Sequence, residues 1–354
     1  MGHTYSAWSA EQGRRREASV KRAYKWYSQW DVLLLGVSGA GKTTLTTQLR
    51  NAKEGGRSEA ERAACRGEVY EHVVRAARLA VEVMQSNGAQ CAEQYNRENV
   101  EIILAYNLDT ANLLYLPAEF TTAVHQLWAD AAFKGEVYEY GGDSVLMDSA
   151  AYFFEEVLRI GAPGYVPTDT DIIRVYRNTI GIVETRFSKD TWQWVHLFDV
   201  GTWVPECKKW IQDFEETAII VFCVALSDYD RASVDGKHEN RMLESIAMFE
   251  NVVNLGTFAN TPIILFFNKL DVFRAKLAKL PLQWHFPDYS GGSDVDAACK
   301  YIEGKFTGVI RVHRSKMLLT THIITATDAQ TTKLLSDKLK RTFNATALEM
   351  AGFM

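Results

Sequence analysis

Six apolar stretches of strand length, Val32–Val37, Gly181–Phe187, Val195–Val200, Ala218–Leu226, Pro262–Asn268 and His322–Thr327, each run into a polar or glycine-bearing turn. Stretches this short and this rich in Val, Ile and Phe predict buried strands of a mostly parallel sheet, where helices cover both faces and no polar alternation is imposed. The long interval between the first and second strands has a different period. Tyr70, Val73, Val74, Ala77, Val81 and Met84 recur every three or four residues before Gly88, and Ala150, Phe153, Phe154, Val157 and Leu158 do so between Ser149 and Gly161. That is helical spacing closed by glycine stops. The predicted architecture is α/β over residues 31–56 and 173–354, with an all-helical insertion over residues 57–172 and a polar, basic N-terminal helix in residues 1–30.

Composition excludes several classes. With 39 basic against 44 acidic residues and a formal charge of −5, the chain lacks the cationic surplus of a general nucleic-acid binder, and no nucleic-acid partner is expected. The longest apolar run, Ala218–Leu226, is far short of the roughly 18 residues that cross a bilayer. The five cysteines, Cys65, Cys91, Cys207, Cys223 and Cys299, are scattered without a CxxC pair. They read as reduced thiols of an intracellular protein, not as a zinc site or a disulfide framework.

The first strand leads into Gly36-Val37-Ser38-Gly39-Ala40-Gly41-Lys42-Thr43, which fits G-x-x-x-x-G-K-[ST], and a helix follows over Thr44–Arg50. In that setting the glycines let backbone N–H groups wrap phosphates, Lys42 neutralises the β and γ oxygens, and Thr43 offers a hydroxyl to Mg²⁺. Asp199, at the end of the strand Val195–Val200, is a candidate to hold the metal through water, and Thr179 a candidate for a second hydroxyl. Alone, Asp199 reads equally well as a strand-terminating acid. At the end of the fifth strand, Asn268-Lys269-Leu270-Asp271 supplies a base-reading set. The Asp271 carboxylate can accept from the N1–H and exocyclic amine of guanine, which adenine does not present, while the Lys269 stem covers the ring and Asn268 ties the loop together. The Ala326 N–H, in Ile324-Thr325-Ala326-Thr327, is expected to meet the guanine O6.

These motifs, with Asp171–Phe187 (DIIRVYRNTIGIVETRF), Leu197–Gly201, Lys208-Lys209-Trp210, Ala218–Asp230 (AIIVFCVALSDYD), Ile264–Asp271, Thr321–Asp328, Asp148–Tyr152 (DSAAY) and Gly352, run collinearly through nearly the whole chain. Together they resemble a heterotrimeric G-protein α subunit. The resemblance implies a Ras-like P-loop GTPase domain with a mostly parallel sheet and an inserted all-helical domain that closes over GDP or GTP. It adds Ser38, Gly39, Thr44, Asp148, Ser149, Ile173, Arg174 and Gly201 to the nucleotide-binding residues. Partners it implies are a βγ dimer, met through Lys208, Lys209 and Trp210, a seven-helix receptor, met through Thr332–Met354, and an effector of unknown kind. Met1-Gly2-His3-Thr4-Tyr5-Ser6 fits M-G-x-x-x-S, so Gly2 is a candidate for myristoylation. One such chain anchors only marginally, and Arg14, Arg15, Arg16, Lys21, Arg22 and Lys25 offer a second, electrostatic attachment to the inner leaflet. The expected location is the cytoplasmic face of the plasma membrane and the cytoplasm.

Departures from the family pattern fall on catalytic and clasp positions. The family's catalytic arginine lies two residues after another arginine and three before the metal-binding threonine, which here is Tyr176, with Arg177 beside it as a possible substitute. The family's Asp-Val-Gly-Gly-Gln reads Asp199-Val200-Gly201-Thr202-Trp203, so the water-orienting glutamine is Trp203. An arginine finger contributes about 10³–10⁵ in rate, the magnitude established for this class of enzyme, and a tyrosine carries no positive charge. Hydrolysis is therefore expected to be very slow or absent. Thr202 restricts a backbone that must rotate as the switch closes. The family's P-loop acid and catalytic arginine, which pair across the domains, are Gly39 and Tyr176, and Asp148 is expected to face Leu270 in place of a lysine. A loosened helical domain follows from that reading. The alternative to a nucleotide switch is a pseudo-GTPase scaffold that sequesters βγ; a P-loop kinase or ATPase is disfavoured by Asp271.

Overall fold

The computed structural model describes residues 29–108, 115–140, 144–190, 193–201, 214, 217–233, 236–311, 319–328 and 341–342. Gly2, the basic N-terminal segment, Thr202, Trp203, Lys208, Lys209, Trp210 and the C-terminal tail with Gly352 lie outside them.

Strands β1 (Gln29–Leu35), β2 (Ile182–Asp190), β3 (Gln193–Val200), β4 (Ile219–Ala225), β5 (Ile263–Asn268) and β6 (Leu319–Ile323) form one sheet in the order β2-β3-β1-β4-β5-β6. All pairings are parallel except β2 with β3, an antiparallel edge. Every residue of β4 and β5 is buried, which is why they read as unbroken apolar runs. Helices α10 (Arg241–Val253) and α12 (Val295–Gly308) cover this part of the sheet. Phe249 meets Phe222 edge-on at 5.0 Å, and Phe306 lies 5.5 Å from Phe267 and 5.6 Å from Phe249. Aromatic pairs in these geometries add to the area they bury.

The sixth strand corrects the sequence reading. It pairs Leu319↔Ile263 through Ile323↔Phe267, so it ends where the predicted stretch His322–Thr327 had barely begun. The Ile324 N–H still donates to the Phe267 carbonyl at 2.8 Å, and Ile324 is buried. Its apolar side chain marks the turn leaving the strand, which sequence alone cannot tell from a strand interior.

Between β1 and β2 the chain is helical: α1 (Lys42–Glu54), α2 (Glu59–Ala64), α3 (Arg66–Ser86), α4 (Asn96–Ala105), α5 (Ala118–Ala129), α6 (Ala131–Tyr140), α7 (Ala150–Glu155), α8 (Val157–Ile160) and α9 (Asp169–Arg174). α1 exceeds the expected Thr44–Arg50, ending where Gly55 turns left-handed and its N–H caps the Asn51 carbonyl at 3.1 Å. From α3 onward the helices build a core separate from the sheet's, with Tyr70, Val73, Ala77 and Val81 against Phe120, Leu127, Phe153 and Phe154. This is the mostly parallel Ras-like sheet with a helical insertion. None of the helices among the described residues is long and apolar enough to cross a membrane.

Candidate nucleotide site

A cleft opens between the carboxyl ends of the strands and the insertion. It lies where β1 is flanked by β3 on one side and β4 on the other, the switch point at which open α/β sheets bind ligands. Its lining includes Ser38, Gly39, Gly41, Lys42, Thr43, Thr44, Asp148, Ser149, Ile173, Arg174, Tyr176, Arg177, Thr179, Gly201, Asn268, Lys269, Asp271 and Ala326. Of the predicted residues, Gly36, Ala40 and Asp199 stand behind the surface. Thr325 and Thr327, beside Ala326, also line it, as do Thr47, Val145 and Val272; small polar and aliphatic residues at these last three places carry no motif by which the sequence could announce them.

The loop after β1 turns into α1 at Gly41, whose φ is +95°. A Cβ there would sit 2.1 Å from Asn268 Nδ2, so the left-handed turn and the close approach both require glycine. Asn268 donates through Nδ2 to the Ala40 carbonyl and accepts from the Ala326 N–H through Oδ1, each at 2.9 Å. It thus joins the phosphate loop to the turn after β6, and the Ala326 N–H expected to face a guanine O6 is donated to Asn268. Lys42 is buried; its ammonium donates to the Gly36 carbonyl at 2.7 Å and the Val37 carbonyl at 3.0 Å. Burial lowers its pKa against the attraction of Asp199.

Thr43 Oγ1 donates to Asp199 Oδ2 at 2.8 Å and lies 2.8 Å from Thr179 Oγ1. Asp199 Oδ1 is buried with no hydrogen-bond partner among the described residues. Burial raises the Asp199 pKa, opposed by Lys42 and the Thr43 hydroxyl. A set of hard oxygens with one buried acceptor unmet suits Mg²⁺, so Thr43, Thr179 and Asp199 fit the ion. A carboxyl raised in the folded state opposes stability once pH exceeds that raised pKa, and the penalty fades as pH falls towards the unfolded value. Asp199→Asn should therefore raise the Tm of the ligand-free chain at neutral pH while abolishing any stabilisation by added Mg²⁺ with nucleotide. Thermal melts with and without both check this.

Two of the departures from the family pattern, Gly39 and Tyr176, lie in the cleft lining. Tyr176 is half-buried at the cleft wall, its hydroxyl 3.2 Å from Ser38 Oγ, and its N–H donates to His72 Nδ1 at 3.1 Å. Burial, with the Arg75 charge beside it, pushes His72 down to about 3. Arg177 pairs with Glu68 at 2.5 Å. Glu68 and His72 are one helical turn apart on α3, so one face of that helix grips two successive residues of the connecting strap. The Gly201 N–H donates to the Gly181 carbonyl at 2.8 Å, bringing the end of β3 against the start of β2.

The clasp expectation is overturned. Asp148 does not face Leu270: it pairs with Lys269 at 2.5 Å and with Arg231. Lys269 caps α11 (Leu270–Leu277) in the left-handed conformation, φ +63°, while Leu270 packs on the sheet core. The motif spacing points to the residue one position further along and gives no sign of Arg231. At the other contact, Gly39 has φ +76°, and a Cβ on it would meet Val145 at 2.6 Å. An acid is absent there, and the insertion closes directly onto the loop backbone.

This fold and cleft define a P-loop nucleotide-binding protein of the Ras-like class with a helical insertion. Residues 9–343 match the family described as G-protein alpha subunit, and the chain belongs to that family. It is 36% identical over 359 aligned positions, covering 100% of both chains, to the guanine nucleotide-binding protein alpha-3 subunit of Ustilago hordei. It is 39% identical over 324 residues to the alpha-3 subunit of Neurospora crassa, covering 91% of this chain and 90% of that one. A guanine nucleotide-binding protein subunit alpha of Cryptococcus neoformans is 36% identical over 330 residues, 93% of this chain and 75% of its own.

Proposed function

We propose that the chain is a guanine-nucleotide switch of a heterotrimeric G protein, able to exchange GDP for GTP but very slow in hydrolysis. The observation that carries the proposal is the Tyr176–Ser38 contact of 3.2 Å: a neutral hydroxyl pair stands where a cation would have to meet the transferring phosphoryl group. Arg177 is held by Glu68, which favours no rescue from the neighbouring guanidinium. Trp203 offers no amide to orient water, which points the same way.

In this reading the loop N–H groups bind the phosphates, Lys42 balances their charge, and Asp271 accepts from the guanine edge while Lys269 covers its face. Thr43, Thr179 and, through water, Asp199 would hold Mg²⁺, which would supply charge neutralisation to the phosphates. The proposal divides the chain into an N-terminal helix (1–30), a Ras-like domain (31–56 and 173–354) and a helical domain (57–172). It extends to a βγ dimer at Lys208, Lys209 and Trp210, a seven-helix receptor at the C-terminal tail, an effector of unknown kind, and myristoylation of Gly2 with peripheral attachment to the inner leaflet.

Single-turnover assay of the purified chain loaded with GTP tests the reading. Bound GTP should survive with a lifetime of roughly a day or longer, given a family turnover on the order of 10⁻² s⁻¹ less the arginine's contribution. GDP forming within minutes would overturn slow hydrolysis; failure to retain any nucleotide would leave the βγ-sequestering scaffold.

A further inference from the structure

We infer that Arg231 is a second clasp between the two bodies and that it controls how fast nucleotide leaves; the inference rests on the cleft being the guanine-nucleotide site. Arg231 follows the 3₁₀ turn Leu226–Asp228 at the end of β4 and is 1% exposed. Its guanidinium faces both bodies. On the sheet side Nη1 donates to Asp228 Oδ1 at 2.7 Å. On the insertion side it pairs with Asp148, Nη2 with Oδ1 and Nη1 with Oδ2 at 3.4 Å, and Nη2 lies 3.4 Å from the Ser144 carbonyl. A planar fork suits this double engagement, whereas a lysine ammonium is a single point charge.

The surrounding charges give Arg231 a role distinct from Lys269. Asp148 uses Oδ2 for Lys269 as well, and Asp228 uses Oδ2 for Arg241 Nε at 3.3 Å. Arg241 in turn donates to the Ser38 carbonyl in the phosphate loop. A continuous polar chain therefore runs from the insertion through Asp148, Arg231, Asp228 and Arg241 to the loop backbone. Burial would by itself raise the Asp148 pKa, yet the Lys269 and Arg231 charges hold it well below the usual carboxylate range. For the insertion to swing away, Asp148 must leave both cations, and Arg231, itself buried, must give up one of its carboxylate partners, which is costly for a buried charge. Lys269 can then serve the base while Arg231 holds the insertion.

The same arrangement makes the inference testable. In Arg231→Leu, Asp148 retains Lys269 and Asp228 retains Arg241, so neither of these two carboxylates is stranded and folding should survive. Release of a fluorescent GDP analogue should accelerate about tenfold or more, in line with losing a charge-assisted hydrogen bond across the two bodies. Arg231→Lys, which keeps the charge but loses the fork, should give a smaller acceleration and serves if the leucine variant does not fold. Hydrogen exchange of residues 144–149 in the nucleotide-free chain should rise in both variants. Release and exchange equal to wild type in a folded variant would overturn the clasp. A wild-type chain that binds no GDP would instead remove the nucleotide-site reading, and exchange at residues 144–149 would still decide whether Arg231 holds the insertion.

Discussion

Replacing Tyr176 by Arg and Trp203 by Gln together should raise single-turnover GTP hydrolysis by roughly 10³-fold or more. The Tyr176 N–H is fixed by His72 and its side chain already reaches the phosphate loop at Ser38. A longer cationic side chain starting from that Cα therefore begins beside the phosphates. Tyr176→Arg alone supplies charge but leaves water unordered, and Trp203→Gln alone orders water against an unneutralised phosphoryl group. Each single change should fall well short of the pair, since residues that act as a unit are not additive. A double variant that binds GTP normally yet hydrolyses it no faster would mean that the impairment lies elsewhere, with Thr202 the first suspect.

The second large effect concerns the base. Asp271 lies in the first turn of α11 and lines the cleft beside Lys269 and Val272. An acid at a helix start has a structural use of its own, because it complements the helix dipole. Asp271→Asn separates the two uses. The amide keeps the size but offers one acceptor and one donor, so it can no longer accept from both N1–H and the exocyclic amine of guanine. Losing one charge-assisted bond and opposing a donor with a donor should weaken GTP binding by about a hundredfold or more. Xanthine carries a carbonyl where guanine carries the amine, and its triphosphate should gain affinity in the same variant. Titration with both nucleotides checks this; a parallel loss for both would make Asp271 a helix-capping acid only.

Much of this was legible in the sequence where a backbone requirement and a chemical requirement coincide. Gly41 and Lys42 announce a left-handed turn feeding a helix, and the buried strands β4 and β5 announce themselves by unbroken apolar runs. The illegible parts depend on which of two neighbouring side chains points across a gap. Lys269 and Leu270 differ by one position, and only the left-handed backbone at Lys269 decides which reaches Asp148. Arg231 stands in a polar turn where an arginine is unremarkable, and nothing local says that its partners lie 83 and 3 residues away. β6 was misplaced because Ile324 is buried as a turn residue.

The grip of α3 on the strap has a mechanical consequence. Because Glu68 holds Arg177 and His72 holds the Tyr176 backbone, the insertion is geared to the first switch and is more than a cover over the nucleotide. In the proposed cycle, a rotation that lifts the insertion would have to drag the strap with it or break these two contacts. With its imidazole pushed down to about 3, His72 stays an acceptor from neutral pH well into acid. The His72 half of the grip is therefore insensitive to mild acidification.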